Sequence, residues 1–198
     1  FRKVSSHPTL EVVERKRLMC NSNKLIFEKM YLEEDALIYL DTDLVFLRPI
    51  EDLWRAFKNF NDDQLFGAVT PLWRIFSDKP FTELEKNPEH FYEMDCEWNF
   101  RRGYCENITQ RCPGMVVNGV NVVHGNNGAF FSGENTLFKL LHEYWRDLDM
   151  SKSLSTVISE LKAILPDAVL KDRSCHFVKG LHEMLMKHLK LLDGKLVN

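Results

Sequence analysis

The sequence has no long apolar run. Nowhere do about 18 hydrophobic residues follow one another, so no membrane span lies within it. It also lacks an excess of one charge. Lys and Arg number 26 against 29 Asp and Glu, and the net charge of −3 argues against an electrostatic nucleic-acid binder. Its five cysteines form no Cys-x-x-Cys pair, which removes zinc-knuckle and thioredoxin-type sites. No glycine-rich phosphate loop precedes a helix, and no Gly-x-Ser-x-Gly elbow is present. His182, Glu183 and His188 miss the metalloprotease spacing, because their offset puts the two imidazoles on different helix faces. There is no internal repeat and no flexible linker. The chain opens at Phe1 without a signal-like stretch before Leu10, so a fragment or processed form is expected.

What is present is a globular composition. With 198 residues, 44% of them hydrophobic, the chain suits one domain, or one with an appendage, and needs no staple to build a core. Cys96, Cys105 and Cys112 crowd into a stretch that reads as loop, as disulfide-forming cysteines do in an oxidising compartment. Asn107-Ile108-Thr109 between them is an N-glycosylation sequon, which points the same way. These signs predict a secretory location.

Apolar spacing predicts helices over 9–19 and 22–32. Leu37-Ile38-Tyr39-Leu40 reads as a strand buried on both faces, and Leu44-Val45-Phe46-Leu47 resumes it. Pro49 at a first helical position, with Glu51 and Asp52 in the first turn, opens a helix to about residue 60. Leu65 to Val69 is a second strand, so the class is α/β. Residues 73–114 read as irregular. Met115 to Val123 reads as a strand interrupted at Asn118-Gly119, followed by a turn over His124 to Gly128. Three amphipathic helices follow: one along Leu137 to Leu148, one from Val157 stopped at Pro166, and one along Val178 to Leu189. The domain reading is residues 1–133 as the main domain and 134–198 as a helical region packed on it.

The sharpest chemical signal is Asp41-Thr42-Asp43. Carboxylates at i and i+2 of an extended backbone share a side, here at the carboxyl end of an expected strand, where open α/β sheets bind ligands. Two such charges in a half-buried turn need a cation, and a hard divalent ion with phosphate oxygens in its remaining positions supplies it. One family with such a pair is the haloacid-dehalogenase-like phosphatases, in which Asp41 would be the nucleophile. Leu44 departs from their pattern, and Asp62-Asp63 does not provide their terminal acidic pair.

The sequence resembles more closely, and over more of its length, the retaining nucleotide-sugar glycosyltransferases of the glycogenin-like type. Tyr39 to Trp54 is similar to their metal strand and following helix, Cys96-Glu97-Trp98-Asn99-Phe100-Arg101 to their Trp-Asn segment, and Val122-Val123-His124-Gly125-Asn126-Asn127-Gly128 to their His-Gly turn. Within the family the resemblance is to glucoside xylosyltransferases. It implies a Rossmann-related nucleotide-diphospho-sugar transferase core, incomplete here, with a helical C-terminal region. It also implies transfer of xylose from UDP-xylose to O-linked glucose on epidermal-growth-factor-like repeats. The setting would be the Golgi or endoplasmic reticulum lumen, with a type II membrane anchor in a full-length form. The alternative from another class is an inactive remnant of the family that binds without turnover.

By that resemblance Asp41, Asp43 and His124 would hold Mn²⁺, and Thr42, Gly125, Asn126 and Asn127 would meet the UDP-sugar. A Cβ at Gly125 would intrude on the diphosphate. Trp98 and Asn99 would shape the sugar site. The partners implied are a nucleotide sugar and a glycosylated protein acceptor. The family's first strands, which hold the uridine, are missing before Asp41. Its acceptor-side strand and acidic stretch are missing between Leu72 and Glu97, so no catalytic base or nucleophile is named. Asn127 stands where the family would place a basic residue.

Overall fold

The computed structural model describes residues 35–69 and 87–196, with side chains described as far as Gly194. The helices expected over 9–19 and 22–32 and Cys20 lie outside the described residues. The chain divides into two units, residues 1–41 and 42–198.

Of the first unit the described part is 35–41. Here the expectation of a strand over Leu37–Leu40 is corrected. The segment pairs with no strand among the described residues, and Leu37 and Tyr39 are exposed. An apolar run becomes a strand only where a neighbour takes its backbone groups. Both the transferase and the phosphatase readings had placed a strand leading into Asp41, and the strand begins after Asp43 instead.

The second unit is mixed α and β, mostly helix, with two small sheets. Strand β1 (Leu44–Phe46) leads to a short helix α1 (Ile50–Trp54) continued by a 3₁₀ segment to Asn59, and then to β2 (Phe66–Val69). Strand β3 (Phe91–Met94) pairs with β2 in parallel, and β4 (Val122–His124) pairs with β1 antiparallel. The site strand β1 is therefore in an antiparallel pair, and the parallel pair is β2–β3. Helices α2 (Ile108–Arg111) and α3 (Pro113–Asn118) precede β4. Helices α4 (Thr136–Arg146), α5 (Leu154–Lys171) and α6 (Leu181–Leu196) follow it.

Two further expectations are corrected. Residues read as the front of a strand from Met115 form α3. Pro113 has φ pre-set for the first helical turn, and Gly119 at φ 91° ends the helix in a conformation that costs a side-chain-bearing residue dearly. Only Val122–His124 is strand. Helix α5 does not stop at Pro166 but runs through it to Lys171. An interior proline costs about 3 kcal/mol. Leu161, Leu165, Ala168 and Val169 are buried along the same face, and each large side chain buried contributes about 1.5–3 kcal/mol. The packed face therefore prevails over the missing hydrogen bond.

One core joins β1, β4 and the C-terminal helices, from Val45 and Leu47 through Phe100, Phe130 and Phe138 to Leu185 and Leu189. Phe100 is wholly buried and stacks on Phe138 with ring centroids 5.6 Å apart. Asp172, also buried, accepts from the amides of Leu137, Ser174 and Cys175, so its carboxylate caps the start of α4 and fixes the turn after α5. This core is the base on which the end of β4 is presented.

Candidate functional site

The β1–β4 ladder sets the register Leu44↔His124, which brings the two chain segments carrying the expected ligands side by side. One residue before the ladder, Asp43 places Oδ1 3.3 Å from His124 Nε2. The carbonyl oxygen of Asp43 accepts from the Gly125 amide at 2.8 Å. Asp43 is thus tied to the His-Gly turn through both backbone and side chain. The imidazole is 15% exposed and the carboxylate 35%, so the pair is shielded by the fold yet open on one side. Asp41 is exposed and closes the preceding unit, joined to Asp43 through the exposed Thr42.

A third segment lies along β4. Phe100 bridges Val123 in parallel. Its amide donates to the Val122 carbonyl at 2.9 Å, and its own carbonyl accepts from the His124 amide at 2.8 Å. Phe100 is turned into the core, and Asn99 before it ends a 3₁₀ turn. Asn99 reaches His124: its Oδ1 lies 2.8 Å from the ring Nδ1. An amide oxygen only accepts, so Nδ1 carries a proton, which leaves Nε2 as the ring nitrogen available to a ligand. Nε2 faces the Asp43 carboxylate oxygen. Two electron-rich atoms at 3.3 Å need a proton or a cation between them. An oxygen and an imidazole nitrogen, the latter oriented from behind by a second hydrogen bond, are the donor types a divalent ion such as Mn²⁺ takes. The residues present fit the metal.

The other expected residues fall as follows. Trp98 is half-buried, and the Arg48 guanidinium lies over its ring at 5.6 Å from the centroid. At Gly125 a Cβ would stand 2.4 Å from a ring carbon of the buried Phe130, so the missing side chain makes room for the core ring. Asn126 and Asn127 line a cavity, and Asn127 holds a left-handed conformation at φ 58°. Asn107 is exposed and caps α2, accepting from the Gln110 amide and the Thr109 hydroxyl. Cys96 is bonded to Cys112, and Cys105 to Cys175. Cys96, Glu97 and Cys112 also bring donor atoms together, but the disulfide removes the thiolates a metal would need.

Sequence reasoning missed Cys175, which lies far from the cysteine cluster, and Arg101. It also did not see that Asn99 serves His124. Around this segment, burial pushes the Tyr104 hydroxyl's pKa up, opposed by the positive charge of Arg101.

Among known proteins, no family model matches the chain, and no solved structure matches it. Curated relatives do. Glucoside xylosyltransferase 2 of Mus musculus is 24% identical over 201 residues, covering 68% of this chain and 45% of that protein. Glucoside xylosyltransferase 1 of Homo sapiens is 22% identical over 208 residues, covering 71% of this chain and 47% of that protein. The glycosyltransferase-like protein LARGE of Caenorhabditis elegans is 41% identical over 59 residues, 29% of this chain and 9% of that protein. The chain is similar to glucoside xylosyltransferases and spans about half their length. The match to the mouse protein runs over 201 residues yet takes up 68% of a 198-residue chain, so that relative carries internal residues this chain lacks.

Proposed function

We propose that the chain belongs to a metal-dependent retaining glycosyltransferase using a UDP-sugar. The specific reading is transfer of xylose from UDP-xylose to O-linked glucose on epidermal-growth-factor-like repeats. The observation that supports it most directly is the Asp43–His124 pair with Nδ1 occupied by Asn99, in a chain similar to glucoside xylosyltransferases. Asp41, Asp43 and His124 would hold Mn²⁺. When bound, the ion supplies Lewis-acid stabilisation of charge on departing UDP. Thr42, Asn126 and Asn127 would orient the nucleotide from the turn, and Trp98 would wall the sugar. Residues 134–198 would be the helical region built on the transferase part.

The setting we propose is the lumen of the Golgi or endoplasmic reticulum. Two disulfides and an exposed sequon suit an oxidising compartment. No described helix is long and apolar enough to cross a membrane, and the type II anchor would belong to a longer form.

The internal residues present in the relative and absent here favour a second reading, a chain of this type that binds nucleotide without turnover. Tryptophan fluorescence with UDP, in the presence and absence of Mn²⁺, tests the site, and a UDP-xylose turnover assay with a glucoside acceptor separates the two readings. Tighter UDP binding with Mn²⁺ in the parent, lost in Asp43→Ala, is the expected result. Equal UDP affinity with and without Mn²⁺ overturns the metal site.

A further inference from the structure

Beside the His-Gly turn lies a cavity of about 560 Å³ whose lining includes Arg101, Arg102, Arg173, Glu106, Asn126 and Asn127. The parallel bridge of Phe100 to Val123 sets Arg101 next to the turn that follows β4. The Cys105–Cys175 disulfide ties the segment carrying Arg101 and Arg102 to the segment carrying Arg173. The walls are therefore held at a fixed spacing by covalent and ladder bonds.

The charges in this cavity are not all compensated. Arg173 pairs with Glu134 at 2.6 Å, and the lining carboxylate Glu106 is taken by Arg111 at 2.6 Å. Among the described residues Arg101 and Arg102 make no ion pair. Arg101 is half-buried and Arg102 is exposed. Guanidinium forks match the paired oxygens of a phosphoryl group, and Asn126 and Asn127 in the same lining offer neutral donors.

We propose that this cavity binds a phosphoryl oxyanion, with Arg101 and Arg102 supplying the charge. The site uses guanidinium groups that the transferase reading does not, and it stands whether or not a metal is held at Asp43.

Inorganic pyrophosphate titrated calorimetrically into the full chain, in metal-free buffer at low salt, tests the site. The parent binds one equivalent saturably, and Arg102→Gln weakens binding about tenfold, its exposed side chain leaving the fold intact. Arg101→Lys, which keeps charge but loses the fork, also weakens it, with unchanged circular dichroism as the control. Asp43→Ala, which disables the metal pair, leaves pyrophosphate binding as in the parent. No saturable binding in the parent, or equal affinity in parent and Arg102→Gln, overturns the cavity. Equal UDP affinity with and without Mn²⁺ in the parent, with saturable pyrophosphate binding there, overturns the transferase reading alone. Displacement of pyrophosphate by UDP identifies the oxyanion as a nucleotide's diphosphate, and simultaneous binding of both identifies a separate phosphoryl group. Either result keeps the site.

Discussion

The Gly125 amide donates to the Asp43 carbonyl at 2.8 Å, one residue past the point where His124 Nε2 meets the Asp43 carboxylate at 3.3 Å. The end of β4 therefore holds Asp43 by its backbone while presenting an imidazole to its side chain. The arrangement depends on Gly125 lying flat against the core, because the Phe130 ring fills the space a Cβ would need.

Gly125→Ala is expected to destabilise the protein by about 1–3 kcal/mol, the usual cost of forcing an extra carbon into a packed core. Urea denaturation measures it. The Mn²⁺ affinity should fall in parallel, since the displaced turn carries His124. A variant as stable as the parent would show that Phe130 yields without strain and that the glycine is not needed for packing.

The Asn99–His124 bond gives a second expectation. Asn99→Leu leaves the ring without its oriented partner and should weaken Mn²⁺ binding about 10–100-fold, the range typical when the hydrogen-bond partner of a ligating histidine is lost. Asn99→Asp keeps an acceptor at Nδ1 and should restore most of the affinity. Paramagnetic resonance of free Mn²⁺ reads both. Equal affinity in Asn99→Leu and the parent would reduce Asn99 to a packing residue.

Much of this was legible before any coordinates. The helices along Leu137–Leu148 and Val178–Leu189 declare themselves by apolar spacing, and the strand at Phe66–Val69 by its bounds. The candidate residues at Asp43 and His124 were legible as residue types, but their distance was not, because 81 positions separate them and only the β1–β4 register closes that gap. Leu37–Leu40 misleads because an apolar tetrapeptide says nothing of whether a neighbouring strand exists. Pro166 misleads because a local breaker rule takes no account of Leu165 and Val169 being buried on either side of it. Cys175 was hidden because disulfide connectivity is a property of the fold, not of cysteine spacing.

The Cys105–Cys175 bond spans 70 residues and the Cys96–Cys112 bond 16. The loop-closure account gives about 4 kcal/mol for the longer loop and about 3 for the shorter. Replacing Cys105 and Cys175 by Ala should therefore lower stability more than replacing Cys96 and Cys112, measured by urea denaturation without reductant. The first variant should also weaken pyrophosphate binding, because that bond ties the two arginine-bearing segments together. The opposite order of stability would mean that strain or residual structure outweighs loop length.

His188 provides the pH dependence. Its pKa is lowered from 6.5, first by burial, then by the cations Arg48 and Lys187, with Asp52 opposing them, and its Nε2 is buried without a partner. A folded pKa below the unfolded one means that the unfolded chain takes up the proton first as pH falls. Stability from this group is complete above about pH 6.5 and declines below it until the folded value is passed, at no more than about 1.4 kcal/mol per pH unit. Asp52 acts in a separate window. Its hydrogen bond to Arg48 lowers its pKa from 3.8, so its contribution is lost only in stronger acid. Urea midpoints of the parent should fall between pH 6.5 and 5, and His188→Gln should flatten that fall while leaving the loss in strong acid unchanged. Identical slopes in parent and variant between pH 6.5 and 5 would show that His188 titrates alike in the folded and unfolded chains, which its burial beside two cations does not allow.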